Sequence, residues 1–300
     1  MRLSSSQIYQ QAVNAMQNKQ SDLAKTQLQL ATGKRILAPS DDPASATRIL
    51  DLNQVIETTD QYQRNADYAE TRLSSEETIL ADVGNVLQRI RELSVRANND
   101  TLSAGDRQAI AEEVRTNLEA VTQLANSQDA SGEYLFSGFK TDTVPFTDDG
   151  SGNYAYQGDQ GVRSLQIGNK RQVSVGDAGN DVFMKVDDGA GGTVNMFEML
   201  YGIMTDLEAN NPSTTSLTQL DSAIDVVLNT RSTIGARMNT IDTQRNANDS
   251  FSLILQENRS SLEDLDYAKA VSQFEQQILA LQASQQSFVK IEGLSLFNFL

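Results

Sequence analysis

The chain has 300 residues, with no Cys, no His and a formal net charge of −16 at pH 7. That inventory leaves no disulfide, no thiolate or imidazole zinc ligand, no Cys nucleophile and no Ser-His-Asp triad. A chain this acidic lacks the Lys and Arg patches that nucleic acid or an anionic membrane surface requires, so neither partner is expected. The 39% apolar share with only 6% aromatics suits long helices packed through narrow stripes better than a thick globular core. No apolar run is long enough to span a bilayer, so no membrane insertion is expected. Met1–Ser6 lacks the apolar stretch of a cleavable signal peptide, which leaves the cytosol or an export route that needs none.

From Ser4 to about Leu37 an apolar residue returns every seventh position: Tyr9, Met16, Leu23, Leu30 and Leu37. This spacing predicts a helix with a single stripe. It ends near Gly33, and Pro39-Ser40-Asp41-Asp42-Pro43 then forces a turn. Asp41 or Asp42 is placed to cap the next helix, with Pro43 in its first turn. That helix keeps a/d spacing from Leu52 and Val55 through Thr59, Tyr62, Ala66, Ala69, Leu73, Glu76 and Leu80 to Ala97, a rod of roughly 70 Å. A third helix begins after Ser103, with Ile110, Val114, Val121 and Leu124 inward and Asn117 as a polar lapse.

Between Glu133 and Thr193 Gly and Asp are frequent, and short alternating runs occur at Tyr154–Tyr156, Ser164–Ile167 and Gln172–Val175. These predict short β-hairpins. Helix returns at Met196–Leu200 and again from Leu217 through Ile241. The last stretch, Ser260 to Leu300, carries a seam at Tyr267, Val271, Phe274, Ile278, Leu281 and Phe288, without Gly or Pro before Gly293. It then closes on Leu294, Leu296, Phe297, Phe299 and Leu300, far greasier than most chain ends. A helix with one apolar stripe is not satisfied by water alone and needs a partner.

The expected fold is therefore mainly α with a small β-rich insertion (α+β). Long coiled-coil helices from both chain ends form one bundle, and the β-hairpin part is looped out of the middle. Residues 1–45 with 255–300 would form a terminal coiled-coil domain, 46–132 with 196–254 a long-helix bundle, and 133–195 the insertion. The two seams, Tyr9 to Leu37 and Tyr267 to Leu300, are the candidate assembly residues.

Nothing in the sequence supplies a catalytic or cofactor-binding set. The carboxylates Glu263, Asp264 and Asp266, or Asp41 and Asp42, sit where caps and solvated helix faces are commoner than an acid–base pair across a cleft. Asp148–Gly152, Asp177–Asp181 and Asp187–Gly192 lack the spacing of a calcium loop and read as hairpin turns, so no metal is expected. Thr32-Gly33-Lys34 lacks the upstream Gly of a phosphate loop. Arg89, Arg91 and Arg96 are read as pairing within their own helix, with Glu92 and its neighbours.

Two stretches are familiar. Leu30-Ala31-Thr32-Gly33-Lys34-Arg35-Ile36 followed by Pro39-Ser40-Asp41-Asp42-Pro43 resembles the N-terminal signature of the bacterial flagellins and their junction relatives. Leu262-Glu263-Asp264-Leu265-Asp266-Tyr267-Ala268 resembles the C-terminal one. Gly132–Thr141, which contains Tyr134, Phe136 and Gly138, is similar to the insertion of the filament-side hook-associated junction proteins rather than to flagellin. The resemblance implies a structural subunit, not an enzyme. Its terminal helices would line an axial tube, and its copies would form a short homo-oligomeric ring between the first hook-associated protein and flagellin. It also implies type III export, an extracellular flagellar location, and an export chaperone held by the C-terminal helix. Other readings are a small flagellin, a surface adhesin, or a type III secretion tip protein.

Overall fold

The computed structural model describes residues 5–293. Among the described residues seven helices carry most of the chain: α1 (Ser5–Thr32), α2 (Pro43–Ala97), α3 (Ala104–Ala125), α4 (Gly179–Phe183), α5 (Met196–Glu208), α6 (Thr215–Glu263) and α7 (Tyr267–Gly293). Six short strands lie between α3 and α5: β1 (Phe146–Asp148), β2 (Tyr154–Tyr156), β3 (Ser164–Gly168), β4 (Arg171–Ser174), β5 (Val186–Asp187) and β6 (Thr193–Val194). They pair as three separate antiparallel hairpins, β1–β2, β3–β4 and β5–β6. The expected class, mainly helical with small antiparallel pieces in the middle and the two terminal helices packed together, is the observed one.

The chain divides into two compact units. A terminal unit takes residues 1–58 and 251–300, and a central unit takes residues 59–250. In the central unit, α2 and α6 run antiparallel and are joined by ion pairs along their length. Arg91 meets Asp221 at 2.5 Å, Arg231 meets Glu77 at 2.6 Å, and Arg245 meets Glu70 at 2.5 Å and also Asp67. Between these rims lies the apolar stripe that the a/d spacing predicts. Ala66, Ala69, Leu73, Leu80, Val83, Leu87, Ile90 and Ala97 are buried against Leu220, Ala223, Val227, Ile234 and Ile241 in one core. On α3 the stripe uses Ile110, Val114, Leu118 and Val121. Leu118 fills the step expected at Asn117, and the Asn117 amide instead donates to the Glu113 carbonyl at 2.8 Å. Leu124 is only partly buried against the core. Ser103 caps α3 in a reciprocal box with Asp106, satisfying two amides that the helix start leaves open.

Two-stranded hairpins are not stable alone and leave unpaired edges. Here side-chain amides occupy several of those edges. Asn126, at the end of α3, both donates to the Phe146 carbonyl and accepts from the Phe146 amide at 2.9 Å, as a neighbouring strand would. Asn65 reaches the Gln166 carbonyl at 2.7 Å, Asn248 the Ile167 carbonyl at 2.9 Å and Asn195 the Tyr154 carbonyl at 3.0 Å. Beneath the hairpins, Phe136, Phe146 and Phe183 pack with Phe197 of α5, the rings meeting at 4.9–5.7 Å. Residues 133–195 thus share their core with the helices of the central unit.

Three details depart from the sequence reading. The stripe of α2 shifts by one residue near its start, so that Ile56 is buried and Val55 is exposed. The stretch from Ser260 is not one helix: α6 stops at Glu263 and α7 starts at Tyr267. Asp177–Asp181 is not a hairpin turn. It leads into α4, and both Asp177 carboxylate oxygens accept from Arg237 at 2.8 Å. The other two Asp-Gly clusters do turn hairpins, between β1 and β2 and between β5 and β6.

Phe183 has no solvent-exposed surface and touches three rings. Phe183→Ala is expected to lower stability by about 3–5 kcal/mol in urea unfolding, whereas Val95→Ala, at an exposed helix position, should change it by no more than about 0.5 kcal/mol.

Candidate assembly interface

The two signature stretches meet in the terminal unit. Gly33 ends α1 at φ 71°, a left-handed conformation that a side chain opposes. A Cβ there would also lie 2.9 Å from the Tyr267 hydroxyl. Beyond this turn the chain lies against the break between α6 and α7. The Arg35 amide donates to the Glu263 carbonyl at 2.7 Å, the Leu265 amide donates to the Gly33 carbonyl at 2.9 Å, and Lys34 and Asp264 form an antiparallel bridge. The Arg35 guanidinium donates twice to the Leu262 carbonyl, at 2.8 and 3.2 Å. That carbonyl belongs to the last turn of α6, whose acceptors need outside donors. Lys34 pairs with Glu263. The outcome is a clasp that fixes where the two terminal helices leave their neighbours in the sequence.

The carboxylates of the signatures serve this clasp. Asp41 accepts from the Leu37 and Ala38 amides at 3.1 and 3.2 Å and pairs with Lys25 at 2.6 Å. The Lys25 hydrogen bond first, and the two amides after it, hold its carboxyl below the usual Asp range. Of the two candidate caps, Asp42 is the one that receives the Ser45 amide, at 3.1 Å, with Pro43 opening α2. Asp266 receives the Lys269 amide at 3.1 Å at the start of α7. Glu263 pairs with Lys34, and Asp264 accepts from the Ser260 hydroxyl. Pro39 lies in the exposed turn between the clasp and α2.

From the clasp, α1 and α7 run antiparallel to a contact of Tyr9 with Phe288, ring centroids 5.2 Å apart. Met16, Leu23, Leu30 and Leu37 are half-buried, as are Phe274, Ile278, Leu281 and Phe288. Among the residues of the pair whose burial is described, Thr26 and Ala270 are the buried ones. The seam does not include every residue that the spacing suggests. Tyr267 is 54% exposed and Val271 45%, so these two point largely to solvent, as Ala268 does, whereas Tyr9, 51% exposed, keeps its ring contact with Phe288. The helix begins at Tyr267 after the break, and Ala270 rather than Val271 takes the first inward position. Leu294, Leu296, Phe297, Phe299 and Leu300 lie outside the described residues.

The terminal unit is the less well covered of the two. Among the described residues seventeen large apolar side chains are exposed. Eleven of them belong to this smaller unit: Tyr9, Leu28, Leu50, Val55, Phe251, Leu253, Ile254, Tyr267, Val271, Leu279 and Val289. Leu50 of α2 and Leu253 of α6 are 67% and 66% exposed, and Ile254 and Phe251 stand beside the latter in sequence. Exposed apolar surface in this density makes the terminal unit the candidate contact surface. The run Phe251-Ser252-Leu253-Ile254-Leu255 carried this signal in the sequence, because four apolar residues in five cannot all share one helix stripe. Arg35 and Lys25, which hold the clasp from outside both seams, were not legible from spacing.

The remaining candidates settle as local structure. Arg89 bonds Glu92 at 3.2 Å, but its shorter bond is to Glu113 of α3 at 2.6 Å, and Arg91 pairs with Asp221 of α6, so the strip works mainly between helices, not within one. In the insertion signature Tyr134 donates its amide to the Thr141 carbonyl at 2.9 Å, and Phe136 is fully buried. Gly138 adopts φ 72° where a Cβ would strike Asp159. Among the described residues no group of three or more Asp and Glu is placed to hold a metal ion, and no helix is long and apolar enough to cross a membrane.

Comparison with known proteins gives the class first. Residues 3–141 match the bacterial flagellin N-terminal helical region and residues 217–300 the C-terminal helical region. Within that class, the flagellar hook-associated protein 3 of Escherichia coli (strain K12) is 30% identical over 317 residues, covering 99% of both chains. The chain belongs to the flagellar hook-associated protein 3 family, within the flagellin-like proteins. A putative flagellar hook-associated protein from Vibrio parahaemolyticus has the same fold, with a TM-score of 0.67 at 27% identity over 75% of this chain and 100% of that one. Flagellin itself matches only in part: the phase 1 flagellin of Salmonella naestved is 32% identical over 124 residues, 41% of this chain and 25% of its own.

Gly33→Ala meets both the left-handed φ and the Tyr267 hydroxyl. It should cost about 1–3 kcal/mol and open the clasp, read as a lower unfolding midpoint and faster proteolytic cleavage between residues 33 and 42.

Proposed function

We propose that this chain is a structural subunit of the bacterial flagellum that joins the hook side to the flagellin filament. One observation carries the reading: a full-length likeness to flagellar hook-associated protein 3 coincides with a terminal unit that leaves much of its apolar surface uncovered. A helix pair hides one stripe on each helix. The rest of that surface gains about 25 cal/mol per Å² when another copy or a neighbouring protein removes it from water.

In this reading residues 1–45 and 255–300 form the inner, tube-lining domain, 46–132 with 196–254 a second layer, and 133–195 the outermost part. Both seams, with Leu294 to Leu300, are subunit contacts. The copies form a short homo-oligomeric ring, with the first hook-associated protein on one side and flagellin on the other. The chain leaves the cell unfolded through the flagellar type III route. The absence of Cys supports this, since no disulfide has to form or break during passage. Before export the amphipathic α7 is the natural handle for a chaperone that receives a helix in a groove. The alternative of a small flagellin is disfavoured by the partial extent of the flagellin match.

A strain lacking this protein should keep its hooks and shed flagellin monomers into the medium, and supplying the chain should restore filaments. Long filaments grown from the purified chain alone would overturn the assignment in favour of flagellin. Replacing Phe251, Leu253 and Ile254 together by Ser should lower the monomer's unfolding free energy in urea by no more than about 1.5 kcal/mol, about 0.5 kcal/mol for each surface change, yet abolish complementation. In the assembled ring α1 and α7 should resist protease at least tenfold longer than in the free monomer. Equal resistance in the two states would count against assembly through the terminal unit.

A further inference from the structure

Glu76 occupies an inward step of α2 between Leu73 and Leu80, where the sequence pattern calls for an apolar residue, and it has no exposed surface. Its Oε1 accepts the Asp177 amide at 3.0 Å, and its Oε2 has no hydrogen-bond partner. The charged groups around it come from every element packed there. Arg72 stands one turn back on α2, Asp177 lies on the segment after β4, and Arg237 projects from α6. Behind Arg72 lie Asp129 and Glu133 on the segment after α3, and Glu133 also meets Arg163 at 3.3 Å.

The guanidiniums are already committed. Arg237 gives both terminal nitrogens to Asp177 at 2.8 Å, and Arg72 gives its Nη1 to Asp129 at 2.8 Å and Glu133 at 3.4 Å. Three guanidiniums thus face four carboxyls, and one carboxyl has no counter-charge. Burial selects which one stays neutral. Asp129, Asp177 and Glu133 keep 13%, 19% and 29% of their side-chain surface in solvent, and Glu76 keeps none. A charge buried without a partner is strongly disfavoured, so the group holds its proton instead.

We propose that Glu76 is a proton-operated latch: as a neutral acid it seats residues 175–178 between α2 and α6, and losing the proton at alkaline pH loosens that segment. Burial first, and the Asp177 carboxylate second, push the Glu76 carboxyl up to about 8, against the opposing pull of the Asp177 amide, Arg237 and Arg72. The folded chain therefore keeps a proton that the unfolded chain has lost once pH exceeds 4.5, the ordinary Glu value. The stabilisation is complete below that pH, declines as pH rises through the interval, and is gone above about 8.

Three measurements on the full chain test this. With 13C-labelled glutamate carboxyls, one resonance should titrate with a midpoint near 8 and be missing from the Glu76→Gln spectrum. Urea unfolding from pH 5 to 9 should show the unfolding constant of the parent, relative to Glu76→Gln, rising about tenfold per pH unit up to the folded pKa and then levelling. Amide exchange at residues 176–178, corrected for intrinsic rate, should accelerate across the same range only in the parent. The proposal is overturned if every glutamate titrates below about 6, inside the usual range, or if parent and variant follow parallel stability profiles. Should Glu76→Gln fail to fold, the titration of the parent decides by itself.

Discussion

A helix with a single apolar stripe is incomplete in water, and this chain consists largely of such helices. The central unit resolves the problem internally. α2 and α6 supply facing stripes, α3 and α5 close the sides, and an aromatic cluster from the hairpin segment fills the remaining space. Among the described residues the terminal unit has the α1–α7 pair and the adjoining parts of α2 and α6 to work with. Two stripes cover each other there, and Leu50, Leu253, Ile254, Leu279 and Val289 are left facing solvent. The proposed function rests on that imbalance: one unit covers its apolar stripes within the chain, and in the proposed reading the other is completed by neighbours.

The polar groups serve the same constraint. Acidic side chains, in excess over the basic ones, act where the backbone is unsatisfied or where helices meet. Asp42 and Asp266 cap helices, Asp41 closes the proline turn, and Glu70, Glu77 and Asp221 face arginines across the α2–α6 seam. Most of these pairs are partly solvated, where an ion pair contributes from nothing to about 1 kcal/mol, so their value lies in fixing register more than in stability. Asparagines play the corresponding part for the hairpins, each amide standing in for a missing strand neighbour. Glu76 is the exception, a carboxyl at a core position with its counter-charges already taken.

What the sequence by itself determined is whatever depends on local period and local chemistry. Seven-residue recurrence specified the long helices and most of the central stripe, from Ala66 to Ala97. Gly33, the Pro39–Pro43 turn and the Asp-Gly clusters marked most of the breaks, and the two signature stretches identified the family. Tertiary structure alone decided which stripe residues are covered, because coverage depends on the partner surface and not on spacing. Hence Ala270 is inward where Val271 was expected, and Ile56 where Val55 was. It also decided that Asp264–Asp266 is a break, since the chain there exchanges helix hydrogen bonds for bonds to Gly33 and Arg35, more than two hundred positions away in sequence. No periodicity within a helix can encode an interaction with a segment that folding alone brings alongside, and the clasp, the aromatic cluster and the Glu76 site are all interactions of that kind.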